Sequence, residues 1–198
     1  MQEIAASFGK NFTWELKSQM MGQKALTSAE MFVTHLELQG KITPEEVLIR
    51  REKTLDELFP TADMLPGAKR LLEHLKKNDI PFGLATSSHK RHFDLKTTRH
   101  RDIFLLFDHV TTGEAVQHGK PHPEIFLHAR ALWEPAPDPA NCLVLEDAPS
   151  GVKSAKAAGM KCVMVPHPKL DRALCGEADE VIDILEAFVP EKYGLPGF

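Results

Sequence analysis

Leu143-Val144-Leu145-Glu146-Asp147-Ala148-Pro149-Ser150-Gly151-Val152 is the stretch that decides the fold. Its apolar start has no polar alternation, which predicts a strand buried on both faces, as parallel sheets require. Two carboxylates close the run, and the following proline and glycine open an amphipathic segment, Gly151 to Ala158. A second apolar run, Cys162 to Val165, comes directly after it. Strand, helix and strand in that order form a βαβ unit. Upstream the same alternation recurs: a helix from about Gly67 to Lys77, the run Ile80 to Ala85, a helix from Phe93 to Phe104, the run Phe107 to Thr111, and a helix from Pro123 to Trp133. Downstream stand a weak strand, Glu180 to Ile182, a last helix, and a tail containing Gly and Pro. The expectation is a Rossmann-like α/β core with a parallel sheet over residues 63–198.

Residues 1–62 read differently, as a small all-helical piece. Apolar residues three and four apart run from Ala25 to Leu38. Thr43-Pro44-Glu45-Glu46 is a helix start, with Thr43 as N-cap, Pro44 in the first turn and Glu46 completing a capping box. That helix is expected to reach Leu58, where Phe59-Pro60 ends it, because the residue before proline is pushed out of the α region.

The length of 198 residues suits one domain, or one domain with a small appendage. A hydrophobic fraction of 42% supplies a core, and a net charge of −4 predicts no electrostatic pull toward nucleic acid. The clusters Lys90-Arg91-His92 and Arg99-His100-Arg101 are interleaved with apolar residues at helical spacing and read as solvated helix faces. Three cysteines, Cys142, Cys162 and Cys175, form no disulfide framework, which favours a reducing compartment. No stretch reaches the roughly 18 apolar residues a membrane span needs, and the start does not read as a signal peptide. A cytoplasmic protein without membrane contact is the expectation.

Open parallel sheets bind ligands beyond the carboxyl ends of their strands, so three junctions hold the candidate chemistry. Thr86, Ser87 and Ser88 offer hydroxyls and backbone N–H groups to an anion, or else cap the next helix. Lys120, in Gly119-Lys120-Pro121-His122-Pro123, is either a positive charge aimed inward at a phosphoryl group or a surface lysine in a proline turn. Glu146 and Asp147 are costly beside a buried strand unless a cation meets them, and magnesium takes such ligands. The alternative makes Asp147 an N-cap and leaves Glu146 in solvent. The histidine pairs His118 with His122 and His89 with His92 have no carboxylate at zinc-like spacing and read as loop or surface residues.

Taken together, Ala85-Thr86-Ser87-Ser88, Gly119-Lys120-Pro121, Glu146-Asp147-Ala148-Pro149-Ser150-Gly151-Val152 and Ala157-Ala158-Gly159-Met160 resemble the haloacid dehalogenase-like hydrolases. The chain is similar to their helical-cap phosphatases, the pseudouridine-5′-phosphatase group in particular. Val116 to Pro121 and Phe188 to Pro196 carry that finer likeness. The resemblance implies that Thr86 and Ser87 contact phosphate, that Lys120 holds it against a nucleophilic carboxylate, and that Asp147, assisted by Glu146, binds Mg²⁺. It implies a helical cap from Phe8 to Phe59, in which Gly22, Gln23 and Lys24 face the substrate. The expected partner is a small phosphorylated metabolite, pseudouridine 5′-phosphate or a similar nucleotide.

One departure is plain. The family opens with a central strand ending in Asp-x-Asp-Gly, whose first Asp attacks phosphorus and whose second acts as acid and base. No Asp-x-Asp occurs in these 198 residues. His122 also stands where many relatives have Asp. The expectation is a form lacking the nucleophilic strand, such as a truncated one. A non-catalytic phosphate-ligand binder and a phosphomutase stay open as alternatives.

Overall fold

A computed structural model describes residues 1–20 and 25–198. These form two compact units, Met1–Phe59 and Pro60–Phe198.

The first unit is all helical: α1 (Gln2–Ala6), α2 (Trp14–Met20), α3 (Ala25–His35) and α4 (Pro44–Leu58). Its core is an apolar cluster that includes Ile4, Leu16, Ala29, Phe32, Val33, Leu36, Leu38 and Val47, with Phe32 and Val47 wholly buried. The spacing of Ala29, Phe32, Val33 and Leu36 turns one face of α3 inward. The chain then reverses through Glu37 and Gly40, both at positive φ, to enter α4. That entry is the capping box the local sequence predicts: Thr43 Oγ1 accepts from Glu46 N at 3.2 Å, and Glu46 Oε2 accepts from Thr43 N at 2.8 Å.

The second unit is α/β. In chain order it contains α5 (Ala68–Lys77), β1 (Leu84–Ala85), α6 (Lys90–Lys96), α7 (Arg101–Phe104), β2 (Val110–Thr111), α8 (Glu124–Arg130), β3 (Leu143–Glu146), α9 (Pro149–Ala157), β4 (Lys161–Met164) and β5 (Glu180–Val181). All described strand pairs are parallel: β1 with β2, and β3 with β4 with β5. The register sets Val144 against Cys162 and Glu146 against Met164. Among the described residues β1 and β3 each pair on one side only. Leu71, Leu75, Phe82, Val163, Ile182 and Phe188 form the core beneath α5 and the chain's last segment.

Several elements differ from their expected extent, β2 and α8 among them in being shorter than Phe107–Thr111 and Pro123–Trp133. The run from Ile80 shrinks to Leu84–Ala85 because Pro81 has no N–H for a ladder and the Asp108 carboxylate takes the Phe82 N–H at 3.1 Å. The helix expected from Phe93 to Phe104 breaks between α6 and α7. There the Thr97 and Thr98 hydroxyls bond back to the carbonyls of Phe93 and Asp94, while Arg99 and His100 reach the carbonyls of Thr61 and Ala62. The last helix is absent from the described residues. Two 3₁₀ turns, Leu185–Ala187 and Pro190–Tyr193, take its place, since Pro190 has no N–H and holds Val189 extended. The tail packs instead, with Phe188 stacked on Tyr193 and His74 Nε2 2.9 Å from the Pro196 carbonyl. No described helix is long and apolar enough to cross a membrane.

Thr43→Ala is expected to lower stability by about 1 kcal/mol, and Thr43→Asp to retain it, because only the second keeps an oxygen acceptor for the Glu46 N–H. Equal denaturant midpoints for the two variants would remove the capping box as a contributor.

Candidate active site

Three loops at carboxyl ends of strands meet in the second unit. The first follows β1. Thr86 N donates to the Thr111 carbonyl at 2.9 Å, extending the β1–β2 pairing by one step. The Thr86 hydroxyl accepts from Ser88 N at 3.1 Å, and its own proton has no acceptor among the described residues. The N-cap of α6 is His89, so the three hydroxyl residues before it are not used as caps. Ser87 is exposed, and Ser88 Oγ accepts from Lys96 Nζ at 2.9 Å. Gly113 holds this loop in place: its N–H reaches the Ser88 carbonyl at 3.0 Å, and a Cβ there would lie 2.6 Å from the Ser87 carbonyl oxygen.

The second loop carries Lys120. It is closed by Glu124, in the first turn of α8, whose carboxylate accepts from the N–H groups of Gln117 and His118 at 2.9 and 3.0 Å. The Gln117 N–H foremost, then the His118 side chain and the His118 N–H, hold the Glu124 carboxyl down at about 2. Buried Ser154 of α9 donates to the His122 carbonyl at 2.7 Å and fixes the other end of the loop. So held, Lys120 points inward, its side chain 10% exposed. Its ammonium donates to the Ala85 carbonyl at 3.3 Å and to the Glu146 carboxylate, and lies 4.6 Å from the centre of the Phe126 ring.

The third loop separates the paired acids. Glu146 turns inward: one oxygen meets Lys120, and the other accepts from the N–H groups of Asp147 and Ala148 at 3.2 and 3.4 Å. It sits where the side chain of residue 151 would be, since a Cβ on Gly151 would lie 2.0 Å from its carboxyl carbon. The picture of Glu146 in open solvent therefore fails. Asp147 is the exposed member, and no donor among the described residues meets its carboxylate. It is not the N-cap of α9, a position held by Ala148.

Thr86, Lys120 and Glu146 thus come together through Ala85, with Ser87 and Asp147 adjoining them in the chain. Gly22, Gln23 and Lys24 lie outside the described residues. Sequence reading misses Gly113, Gly151, Ser154 and the Ala85 carbonyl. Gly151 left a signal, as a helix-weakening residue in the first turn after two acids. It also misses Glu124, which brings a carboxylate to His118 and His122 after all. Cys162 is no alternative nucleophile, because burial, then the negative charge of Glu146, pushes its thiol up to about 12.

The close approach at Gly151 gives a test. Gly151→Ala expels the Glu146 carboxylate and strips Lys120 of its counterion. Breaking such a pair costs about 3–5 kcal/mol, and alanine returns about 1 kcal/mol of helix propensity. A net loss of about 2–4 kcal/mol is expected in denaturant unfolding. In a Glu146→Ala background the same substitution becomes neutral or stabilising. Equal losses in both backgrounds would show that Glu146 is not what Gly151 accommodates.

Comparison with known proteins bears on what such a site does. The family model of the haloacid dehalogenase-like hydrolases matches residues 2–159. The chain is 48% identical to (DL)-glycerol-3-phosphatase 1, mitochondrial, of Arabidopsis thaliana over 200 residues, 100% of this chain and 67% of that protein. It is 41% identical to the Drosophila melanogaster protein named probable pseudouridine-5′-phosphatase, over 98% of this chain and 85% of that one. Among solved structures, the β-phosphoglucomutase of Clostridium difficile superposes with a TM-score of 0.74 at 26% identity, covering 98% of this chain and 87% of that one. The matched range takes in Thr86, Lys120 and Glu146, and the chain belongs to the haloacid dehalogenase-like hydrolases.

Proposed function

We propose that this chain is a Mg²⁺-dependent phosphatase of a small phosphorylated metabolite, with the attacking carboxylate supplied by a residue outside these 198. The observation that carries the reading is Lys120, nearly buried, its ammonium between the Ala85 carbonyl and the Glu146 carboxylate. A phosphoryl group entering beyond Ala85 would meet this charge, the free proton of Thr86 and the exposed Ser87. Fixed positive charge and oriented donors are what a transferring phosphoryl group requires.

The donor set fits magnesium. Asp147 is an exposed carboxylate with no described partner, hard in character, and Mg²⁺ takes one or two such oxygens beside water and substrate. Glu146 is already neutralised by Lys120, so its contribution runs through position and charge. When bound, the ion would neutralise phosphate oxygens. Lys120 would orient the phosphate, and Thr86 would donate to it. None of these groups attacks phosphorus: Asp147 would face the cation as its ligand, Glu146 is locked, and Cys162 is buried as a thiol. We place the nucleophile on a strand beside the unpaired edges of β1 and β3. Residues 1–62 would act as the cap that sets substrate specificity. Three free cysteines suit a reducing compartment such as the cytoplasm.

For substrate, pseudouridine 5′-phosphate follows from the likeness at Val116–Pro121 and Phe188–Pro196. Glycerol 3-phosphate is the second reading, favoured by 48% identity to a glycerol-3-phosphatase against 41% to the pseudouridine phosphatase relative.

The test is phosphate release by this chain and by a form extended to include an Asp-x-Asp strand. The extended form is expected to release phosphate with Mg²⁺ and to lose activity with a chelator. Its kcat/KM for the two substrates ranks them. Lys120→Met in that form is expected to lower kcat/KM by about 10²–10³-fold. Turnover by the 198 residues alone would overturn the external nucleophile. Tight phosphate binding without turnover in either form would leave a non-catalytic binder, and transfer to a second hydroxyl would make it a mutase.

A further inference from the structure

His118, His122 and Glu124 surround one point on the Lys120 loop. The Glu124 carboxylate oxygen Oε2 lies 2.8 Å from His118 Nδ1 and 3.7 Å from His122 Nδ1. The two imidazole rings are 4.6 Å apart between centres, and one ligand atom from each of the three residues falls within 4.8 Å of the others. Bonds of about 2.0–2.1 Å around a tetrahedral ion set neighbouring ligand atoms about 3.3 Å apart. The two observed separations bracket that value.

We infer that His118, His122 and Glu124 form a surface site for a transition-metal dication of the zinc class. Two imidazole nitrogens and one carboxylate oxygen are a borderline donor set, preferred by zinc over magnesium, and they leave a fourth position for water. The three residues are held where the ion needs them. Glu124 is anchored through its two backbone donors, and His122 stands between Pro121 and Pro123 with its carbonyl fixed by Ser154. Half-exposed rings, 63% for His118 and 52% for His122, leave the site open to solvent.

Metal entry replaces bonds that exist now. The Nδ1 proton His118 gives to Glu124 moves by way of solvent to its other ring nitrogen, which frees Nδ1 as a ligand. The weak bond from Glu124 N to His122 Nδ1, at 3.3 Å, is released. The ion would close the loop on both sides of Lys120, two residues before it and two after. This site is distinct in chemistry from the oxygen set at Asp147.

Calorimetric titration of the chain, free of any histidine tag and in millimolar Mg²⁺, with Zn²⁺ alone tests the inference. One equivalent is expected to bind and to raise the melting temperature. Affinity is expected to fall about tenfold or more in His118→Ala and in His122→Ala, with the melting shift lost as well. Asp147→Asn is expected to leave both readouts unchanged. Absence of uptake, uptake indifferent to both histidine variants, or uptake removed by Asp147→Asn would each overturn it.

Discussion

The contact between Lys120 and Glu146 is the constraint on which the arrangement of the second unit turns. An ammonium and a carboxylate, each about nine-tenths withdrawn from water, survive only if every lone pair and proton finds a partner. The ammonium has the Ala85 carbonyl and the Phe126 ring; the carboxylate has two backbone N–H groups. Because Ala85 ends β1 and Glu146 ends β3, the same cluster ties together two ladders that share no strand pairing among the described residues. One desolvated ion pair thereby sets the separation of the loops that hold the candidate chemistry.

Much of what surrounds that pair consists of small residues allowing close approach and polar residues closing loops. Gly151 gives up its side-chain space to the Glu146 carboxylate, and Gly113 gives up its own to the Ser87 carbonyl. Ser154, wholly buried inside a helix, spends its hydroxyl on the His122 carbonyl. Glu124 satisfies two N–H groups of the loop before its helix. Each device fixes backbone, and so the direction in which Lys120, Thr86 and Asp147 point. Adjacent acids then diverge in role: Glu146 becomes a counterion, while Asp147 is left free toward solvent.

The chain belongs to the haloacid dehalogenase-like hydrolases, and the local physics of these loops suits the phosphate and metal role proposed for them. A nearly buried ammonium, a hydroxyl with a spare proton and an unpaired carboxylate are complementary to a phosphoryl group with a dication. The same physics suits the described charges to binding and orienting a phosphoryl group. Glu146 is not poised to attack, since it is held from three directions.

Local information was legible in the sequence wherever the physics is local. The capping box at Thr43 involves residues three apart, and the helical spacing of α3 spans a few turns, so both could be read directly. Continuous apolar runs ending in polar residues identified the parallel strands and ordered the three junctions. Extents were less legible, because the Asp108 carboxylate that shortens β1 and the Thr61 and Ala62 carbonyls that help break the helix after Lys96 come from distant parts of the chain. Which acid pairs with Lys120 was decided only by tertiary structure. The partners lie 26 and 35 residues from it, and Glu146 and Asp147 are indistinguishable by type of charge. Only the folded chain, by burying Gly151 against one of them, selects which acid faces the ammonium and which faces water.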